Sequence, residues 1–201
     1  MKKRLVIFGA GGQGKVCAEI AALNGYQTIC FLDDDCSKGS IVSGTTDDYT
    51  RYLRDYDFFI AFGDNTLRRR FLTRISDAGG SIATLIHPGS TVSPDISVGE
   101  GSVVMAGAVI NPGTAVGKGA IVNTASSLDH DNMIEDFVHI GVGAHLAGTV
   151  RVGQGTFIGA GATVINNIRI CEGCIVGAGA VVIKDLTCTG TYVGVPARRI
   201  K

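Results

Sequence analysis

Every sixth residue from Ile86 to Val182 is valine, isoleucine or leucine, and the register never slips. A period of six fits neither the 3.6-residue turn of a helix nor the simple alternation of a lone strand. It marks a chain wound as short strands around a triangular prism, with three hexads and roughly eighteen residues to a coil. The aliphatic residue of each hexad is expected to point into the prism axis and stack on its counterpart one coil away. Four residues later the side chain is usually small, as at Ser102, Ala108, Thr114, Ala120, Ser126, Ala144, Thr156, Ala162 and Ala180. Those positions are also expected inside, where a large side chain would not fit. Glycines recur near the corners, which need backbone angles that a Cβ disfavours. The stretch is long enough for about five to six coils.

Residues ahead of this stretch read differently. Leu5–Phe8 is expected as a strand, followed by Gly9-Ala10-Gly11-Gly12-Gln13-Gly14, a complete G-x-G-x-x-G loop. A helix carrying Val16, Ile20 and Leu23 on one face should follow, ending at Gly25. Further strands are expected at 28–32, 57–62 and 82–86. A short helix is expected near Asp47–Arg54, and another with Leu67, Phe71 and Ile75 on its apolar face. This alternation predicts a small parallel sheet covered by helices. The expected organisation is therefore an α/β half-Rossmann domain over residues 1–85, followed by a parallel β-helix over 86–201.

Composition narrows the function. Lys plus Arg and Asp plus Glu both number 18, so no basic field favours nucleic acid or a membrane surface. No uncharged window is free of Gly, Pro and Asn for the length of a membrane span. Met1-Lys2-Lys3-Arg4 is expected to be a basic lead-in to the first strand rather than a signal peptide, because the apolar run after it is short. With no export signal read, the chain is expected in the cytoplasm and its six cysteines as thiols. Cys171-x-x-Cys174 has half the spacing of a zinc site, but Cys174 occupies an inward position, so core packing is expected instead. Arg68-Arg69-Arg70 is expected to be a solvated helix face.

Two regions carry candidate chemistry. In the glycine-rich loop, the helix start would offer free N–H groups to a phosphate. Asp33 ends the second strand, where a ribose hydroxyl would sit. With about one βαβ half available, a mononucleotide fits better than a dinucleotide; a tight turn without ligand is the alternative. In the prism, His130 is third in its hexad, so it should face outward from a corner. An outward histidine between Asp129 and Asp131 is either a solvated group or a general base whose charged form a carboxylate stabilises. His139 and His145 are last in their hexads and are also expected outside. Three outward histidines raise a second possibility, a metal held by His130, His139 and His145.

Across essentially its whole length the chain resembles the nucleotide-sugar N-acetyltransferases that act on UDP-4-amino-sugars in bacillosamine synthesis. It is also similar to their sialic-acid O-acetyltransferase relatives. The resemblance rests on Gly9–Gly14, Phe31-Leu32-Asp33-Asp34, Tyr56-Asp57-Phe58-Phe59-Ile60-Ala61-Phe62-Gly63, Asn123-Thr124, His130-Asp131, Phe137-Val138-His139, Gly148 and Gly194-Val195-Pro196-Ala197-Arg198. It implies a left-handed parallel β-helix assembled as a homotrimer, with acetyl-CoA as co-substrate and no metal. It further implies that His130 is the general base and Asp131 the acid that tunes it. Glu is often found at that position in the family. His139, Gly148, Ala160 and Ala178 would touch acetyl-CoA, and Gly148 N–H would hold the thioester oxygen. Gly11, Gly12, Gln13, Asp33, Asp34 and Gly63 would contact the UDP-sugar, with Asn123 near the amine. Arg198 and Arg199 either reach CoA phosphates or merely solubilise the C-terminus. The alternatives kept open are sugar O-acetylation, a metalloenzyme of carbonic-anhydrase type, and a non-catalytic nucleotide-sugar-binding protein.

Overall fold

The computed structural model describes residues 3–201. Met1 and Lys2, the start of the basic lead-in, and the side chain of Cys36 lie outside the described residues. The chain divides into two compact units, Met1–Pro88 and Gly89–Lys201. The side chain of Ile86, the first of the six-residue marks, is exposed.

In the first unit the elements are β1 (Lys3–Phe8), α1 (Gly12–Leu23), β2 (Tyr26–Leu32), β3 (Val42–Gly44), β4 (Asp57–Ile60), α2 (Asn65–Asp77), β5 (Ser81–Ile82) and β6 (Leu85–Ile86). Strands β3-β2-β1-β4-β5 form one parallel sheet in that order. The helix expected near Asp47 is a 3-10 turn, Thr46–Arg51, closed by a capping box between Thr45 and Asp48. The single strand expected at 82–86 is split into β5 and β6.

Strand β1 is apolar on both faces, with Leu5, Val6, Ile7 and Phe8 fully buried, as a central parallel strand requires. Helix α1 packs through Gly14, Cys17, Ile20 and Ala21, whereas Val16 and Leu23, expected on its buried face, are exposed. A methyl on Gly14 would collide with the Gly9 carbonyl, so the close approach of helix to strand selects the smaller residue. Helix α2 packs through Arg68, Phe71, Leu72 and Ile75, and Leu67 is exposed. An arginine expected in solvent is thus part of the core.

The second unit is the expected prism. One face is built from Thr91–Val92, Val109–Ile110, Ser127–Leu128, His145–Leu146, Thr163–Val164 and Val181–Val182. A second contains Val103–Val104, Ile121–Val122, His139–Ile140, Phe157–Ile158, Ile175–Val176 and Thr191–Val193, with Arg198–Arg199 antiparallel at its end. The third has Ala115–Val116, Met133–Ile134, Arg151–Val152 and Arg169–Ile170. Pairing is parallel with an eighteen-residue step, as in Ile121 with His139 and Ser127 with His145. The aliphatic positions from Val104 to Val182 form a continuous buried core, with Val92 and Val98 packed against its start.

The small inward residues also carry polar ladders. Thr156 Oγ1 donates to Cys171 O (3.0 Å) and accepts from Cys174 N (3.2 Å). Asn132 is buried, and its side chain donates to Asp129 O (2.7 Å) and accepts from Val150 N (2.8 Å). Each inward polar atom thus meets backbone that the flat coils leave near it. At every corner from residue 101 to 179 the fourth residue of the hexad has positive φ. Most are glycine; the others are Ala125, Asp131, Phe137, Thr149 and Asn167. Three of these five, Asp131, Thr149 and Asn167, stack on one edge of the prism, between the first and third faces.

Candidate active site

That edge is where His130 lies. Its backbone is fixed first: His130 N donates to Asp129 Oδ1 (2.9 Å), which also accepts from Asn111 Nδ2 (2.9 Å) one coil below. The Asn111 bond and then the His130 amide hold the Asp129 carboxyl below its ordinary range. The His130 ring is exposed, and its Nδ1 lies 2.8 Å from Asp131 Oδ2. This hydrogen bond is the main reason its pKa stands above the ordinary histidine value; partial desolvation works against it, and the charges of Asp129 and Asp131 add to it. A carboxylate can only accept, so Nδ1 carries the proton and Nε2 of the neutral ring presents a lone pair.

Nε2 faces a residue one coil above. A methyl placed on Gly148 would collide with His130 Nε2 and Cε1. At Gly148 the backbone itself therefore borders the imidazole. Its carbonyl accepts from Asn167 N (3.0 Å) and the next amide, Thr149 N, donates to His130 O (2.9 Å). Among the described residues, the Gly148 N–H takes no part in this ladder. A lone-pair nitrogen beside an uncommitted backbone donor is suited to removing a proton while an oxyanion forms close by.

An open groove of about 490 Å³ lies along the first face, reaching Asn111 and Asp129 on the His130 edge. Ser127, His145 and Thr163 line it, with Ala147, Ile165 and Asn166. Ser127 Oγ sits 2.8 Å from His145 Nδ1. Apart from His145, sequence reasoning did not single out these lining residues. The available signal was the eighteen-residue spacing of Ser127, His145 and Thr163 on one column.

His139 departs from expectation. It is only 8% exposed, with its ring edge-on to Phe157 at 4.9 Å and Nε2 3.1 Å from Asn123 Nδ2. An outward-pointing side chain in a prism is not necessarily a wet one: its coil neighbour Phe157 is large enough to cover it. The three histidines are not brought together, and among the described residues no group of three His, Cys, Asp or Glu could hold a metal. Cys174 is buried as expected, with Sγ 3.3 Å from Cys171 Sγ. Ala160 and Ala178 lie on a different edge from His130, between the second and first faces, as do Asn123 and Thr124.

In the first unit the candidate ligand residues gather at the carboxyl ends of β1, β2 and β4. Gly11 caps α1 without a side-chain bond, and no acidic residue occupies the first helical turn. Methyls added to Gly11, Gly12 or Gly63 would all meet open space. Gln13 Nε2 is buried with no hydrogen-bond partner among the described residues. The Asp33 carboxylate accepts from Ala10 N (2.7 Å), Asp35 N (2.9 Å) and Lys38 Nζ (2.6 Å). Burial alone would raise its pKa, but the bonds from Lys38, Ala10 and Asp35 bring it below the ordinary value. Asp34 accepts from the amide and hydroxyl of Thr46 (2.8 and 2.9 Å). Both acids therefore shape the loops around them.

Arg68, missed by sequence reasoning, is fully buried behind this region. Its guanidinium donates to Phe62 O (3.0 Å), Gly63 O (3.3 Å) and Asn65 Oδ1 (2.7 Å). Burial lowers its pKa to about 10, partly opposed by Asp64, so it remains a cation at neutral pH.

Comparison with known proteins agrees with this architecture. Residues 4–75 match the PglD N-terminal domain, and residues 149–184 match the bacterial transferase hexapeptide repeat. The chain is 38% identical over 115 residues to UDP-N-acetylbacillosamine N-acetyltransferase of Bacillus subtilis (strain 168), a match spanning about half (52%) of each chain. It superposes with a TM-score of 0.94 on the acetyltransferase domain of PglB from Neisseria gonorrhoeae FA1090 in complex with acetyl coenzyme A. Identity there is 41%, and all of both chains is covered. PerB from Caulobacter crescentus, in complex with CoA and GDP-perosamine, gives 0.92 at 39% identity, covering 98% of this chain and 97% of that one.

Proposed function

This chain belongs to the bacillosamine-type sugar N-acetyltransferases of the hexapeptide-repeat superfamily, and from that premise we propose that it moves an acetyl group from acetyl-CoA to the 4-amino group of a UDP-linked amino-dideoxy sugar. The observation that carries this is His130 Nε2 facing Gly148 while Nδ1 is held by Asp131. In this reading the neutral amine attacks the thioester carbonyl directly. His130 Nε2 takes the amine proton, and the oxyanion rests on Gly148 N–H. Collapse then releases CoA as its thiol, the proton returning through the imidazolium. No acyl-enzyme is needed.

The acceptor nucleotide is proposed to lie over Gly11, Gly12 and Gly63, where side-chain space is open, and beside Gln13, with the first-turn amides of α1 facing it. Asp33 and Asp34 would border its ribose. His139, Ala160 and Ala178 are proposed as acetyl-CoA contacts and Asn123 as a contact near the amine. Because the His130 edge and the Ala160 edge are separated by a whole face, a homotrimer is proposed, in which one chain's His130 edge meets a neighbour's Ala160 edge. No helix among the described residues is long and apolar enough to cross a membrane. We propose that the reaction takes place in the cytoplasm.

Thiol release from acetyl-CoA, measured against UDP- and GDP-linked 4-amino-sugars and free sialic acids, tests this. Release with a UDP-4-amino-sugar that drops about 100-fold or more in His130→Ala is expected. Release only with a sialic acid or a GDP-sugar would replace the acceptor assignment. An unchanged rate in His130→Ala would end the assignment of the base.

A further inference from the structure

We infer that Gly113, one coil below the His130–Asp131 pair, is a positioning residue that keeps the Asp131 carboxylate on the imidazole by leaving it room. The inference deepens the proposed function and rests on His130 acting as the base. A Cβ on Gly113 would overlap Asp131 Oδ1 and lie 3.2 Å from its Cγ. The other carboxylate oxygen, Oδ2, makes the bond to His130 Nδ1.

The backbone under the carboxylate cannot easily yield. Asp131 N donates to Pro112 O (3.0 Å), and Asp131 occupies the left-handed region at φ 58°. The side chain can yield, because it is 63% exposed and water is ready to solvate it. A methyl at 113 should therefore swing the carboxylate outward without disturbing the coil, and Oδ2 leaves Nδ1 as Oδ1 moves. Glycine sits above the pair at 148 and below it at 113, so the imidazole and the carboxylate each fill space that a neighbouring coil leaves vacant.

The ionisable groups facing His130 are Asp129 and Asp131. The coil below contributes Asn111, Pro112 and Gly113 at the matching positions, and the coil above contributes Ala147, Gly148 and Thr149, none of them ionisable. Losing the Asp131 bond removes the largest stabiliser of the imidazolium, so the pKa of His130 falls. A base works when unprotonated; the acidic limb of kcat/KM should therefore move to lower pH.

Gly113 has φ 75°, so alanine there is also strained. Gly155 has φ 67° and open space around its would-be Cβ, which makes Gly155→Ala a control for strain alone. Two measurements on the full chain separate the questions. The His130 titration, followed by NMR in wild type, Gly113→Ala and Gly155→Ala, reads the contact whether or not His130 is the base. A lowered His130 pKa in Gly113→Ala only is expected, and equal values in all three would overturn the inference. The pH profile of kcat/KM reads the consequence. Gly113→Ala should lose about tenfold or more with its acid limb shifted downward, while Gly155→Ala keeps the wild-type profile. In an Asp131→Asn background Gly113→Ala should add no further loss. Equal rate losses in the two alanine variants, or an additive loss in the double variant, would also overturn it. If His130→Ala retains full activity, the base assignment fails while the NMR result stands by itself.

Discussion

The pairing at Gly148 and His130 makes a prediction that belongs to single atoms. Gly148 does not have positive φ, so alanine there carries no left-handed strain. Its methyl would, however, press on Nε2 and Cε1 of the imidazole. Gly148→Ala is expected to leave the denaturation midpoint nearly unchanged while kcat falls about tenfold or more, because the ring can turn away only by losing its aim. An equal loss of stability and rate would show a packing role instead. Much of this geometry was legible beforehand. The hexad count placed His130 at a corner, and corners face out. What the count could not show is which outward positions are covered. His139 and His145 occupy the same place in the hexad, yet Phe157 screens the first while the second lines an open groove. Periodicity gives direction, whereas burial depends on the volume of the residue eighteen positions away. In the same way the sequence places Asp33 at the end of β2, where a ribose hydroxyl would sit, but does not show that its carboxylate also accepts from Ala10 N of the glycine-rich loop.

Among elements, the β4–α2 connection shows why a run of three arginines was misread. Spacing by charge alone suggests a wet helix face, and Arg69 and Arg70 obey it. Arg68 faces inward because the turn after β4 presents the carbonyls of Phe62 and Gly63 to it, and a guanidinium reaches both from one helical turn away. The same turn supports Gly63, where open space faces the proposed nucleotide. Arg68→Met removes three charge-assisted hydrogen bonds to part-buried acceptors and leaves their loop unsupported, so chemical denaturation should show a loss of roughly 2 kcal/mol or more. Calorimetric affinity for UDP should fall with it, while KM for acetyl-CoA stays at the wild-type value. Undiminished UDP binding would show that the loop holds its shape without the guanidinium. The aliphatic positions of the prism after Ile86 needed no such correction, although His139 did. Its elements repeat, so an error at one position is exposed by its neighbours, and the aliphatic core from Val104 to Val182 follows the count without exception. The βαβ unit has no repeat to check against, which is why its helix faces were assigned less well.

For the whole molecule, the decisive question is how residues on two edges of one prism could act together. His130, Asp131 and Gly148 lie where the first face meets the third; Asn123, Ala160 and Ala178 lie where the second meets the first. A triangular prism keeps such edges apart by the width of a face, and no turn of a side chain closes that distance. If both sets touch one acetyl-CoA, as proposed, they must come from different chains, and a three-fold assembly gives every chain both roles. The prism also exposes large apolar side chains at Val142, between Thr124 and Ala160 on one edge, and at Ile165 and Ile183, stacked beside the other. Burying these against a neighbour would supply association energy at both edges at once. Light scattering should therefore give a mass of three chains. Ile165→Asp should shift the population toward single chains that keep their β-sheet circular dichroism but lose acetyl transfer in proportion to the monomer fraction. A wild-type chain that is monomeric at assay concentration and fully active would require His130 and Ala160 to serve different ligands, and the shared-edge site would have to be abandoned in favour of one confined to the groove along the first face.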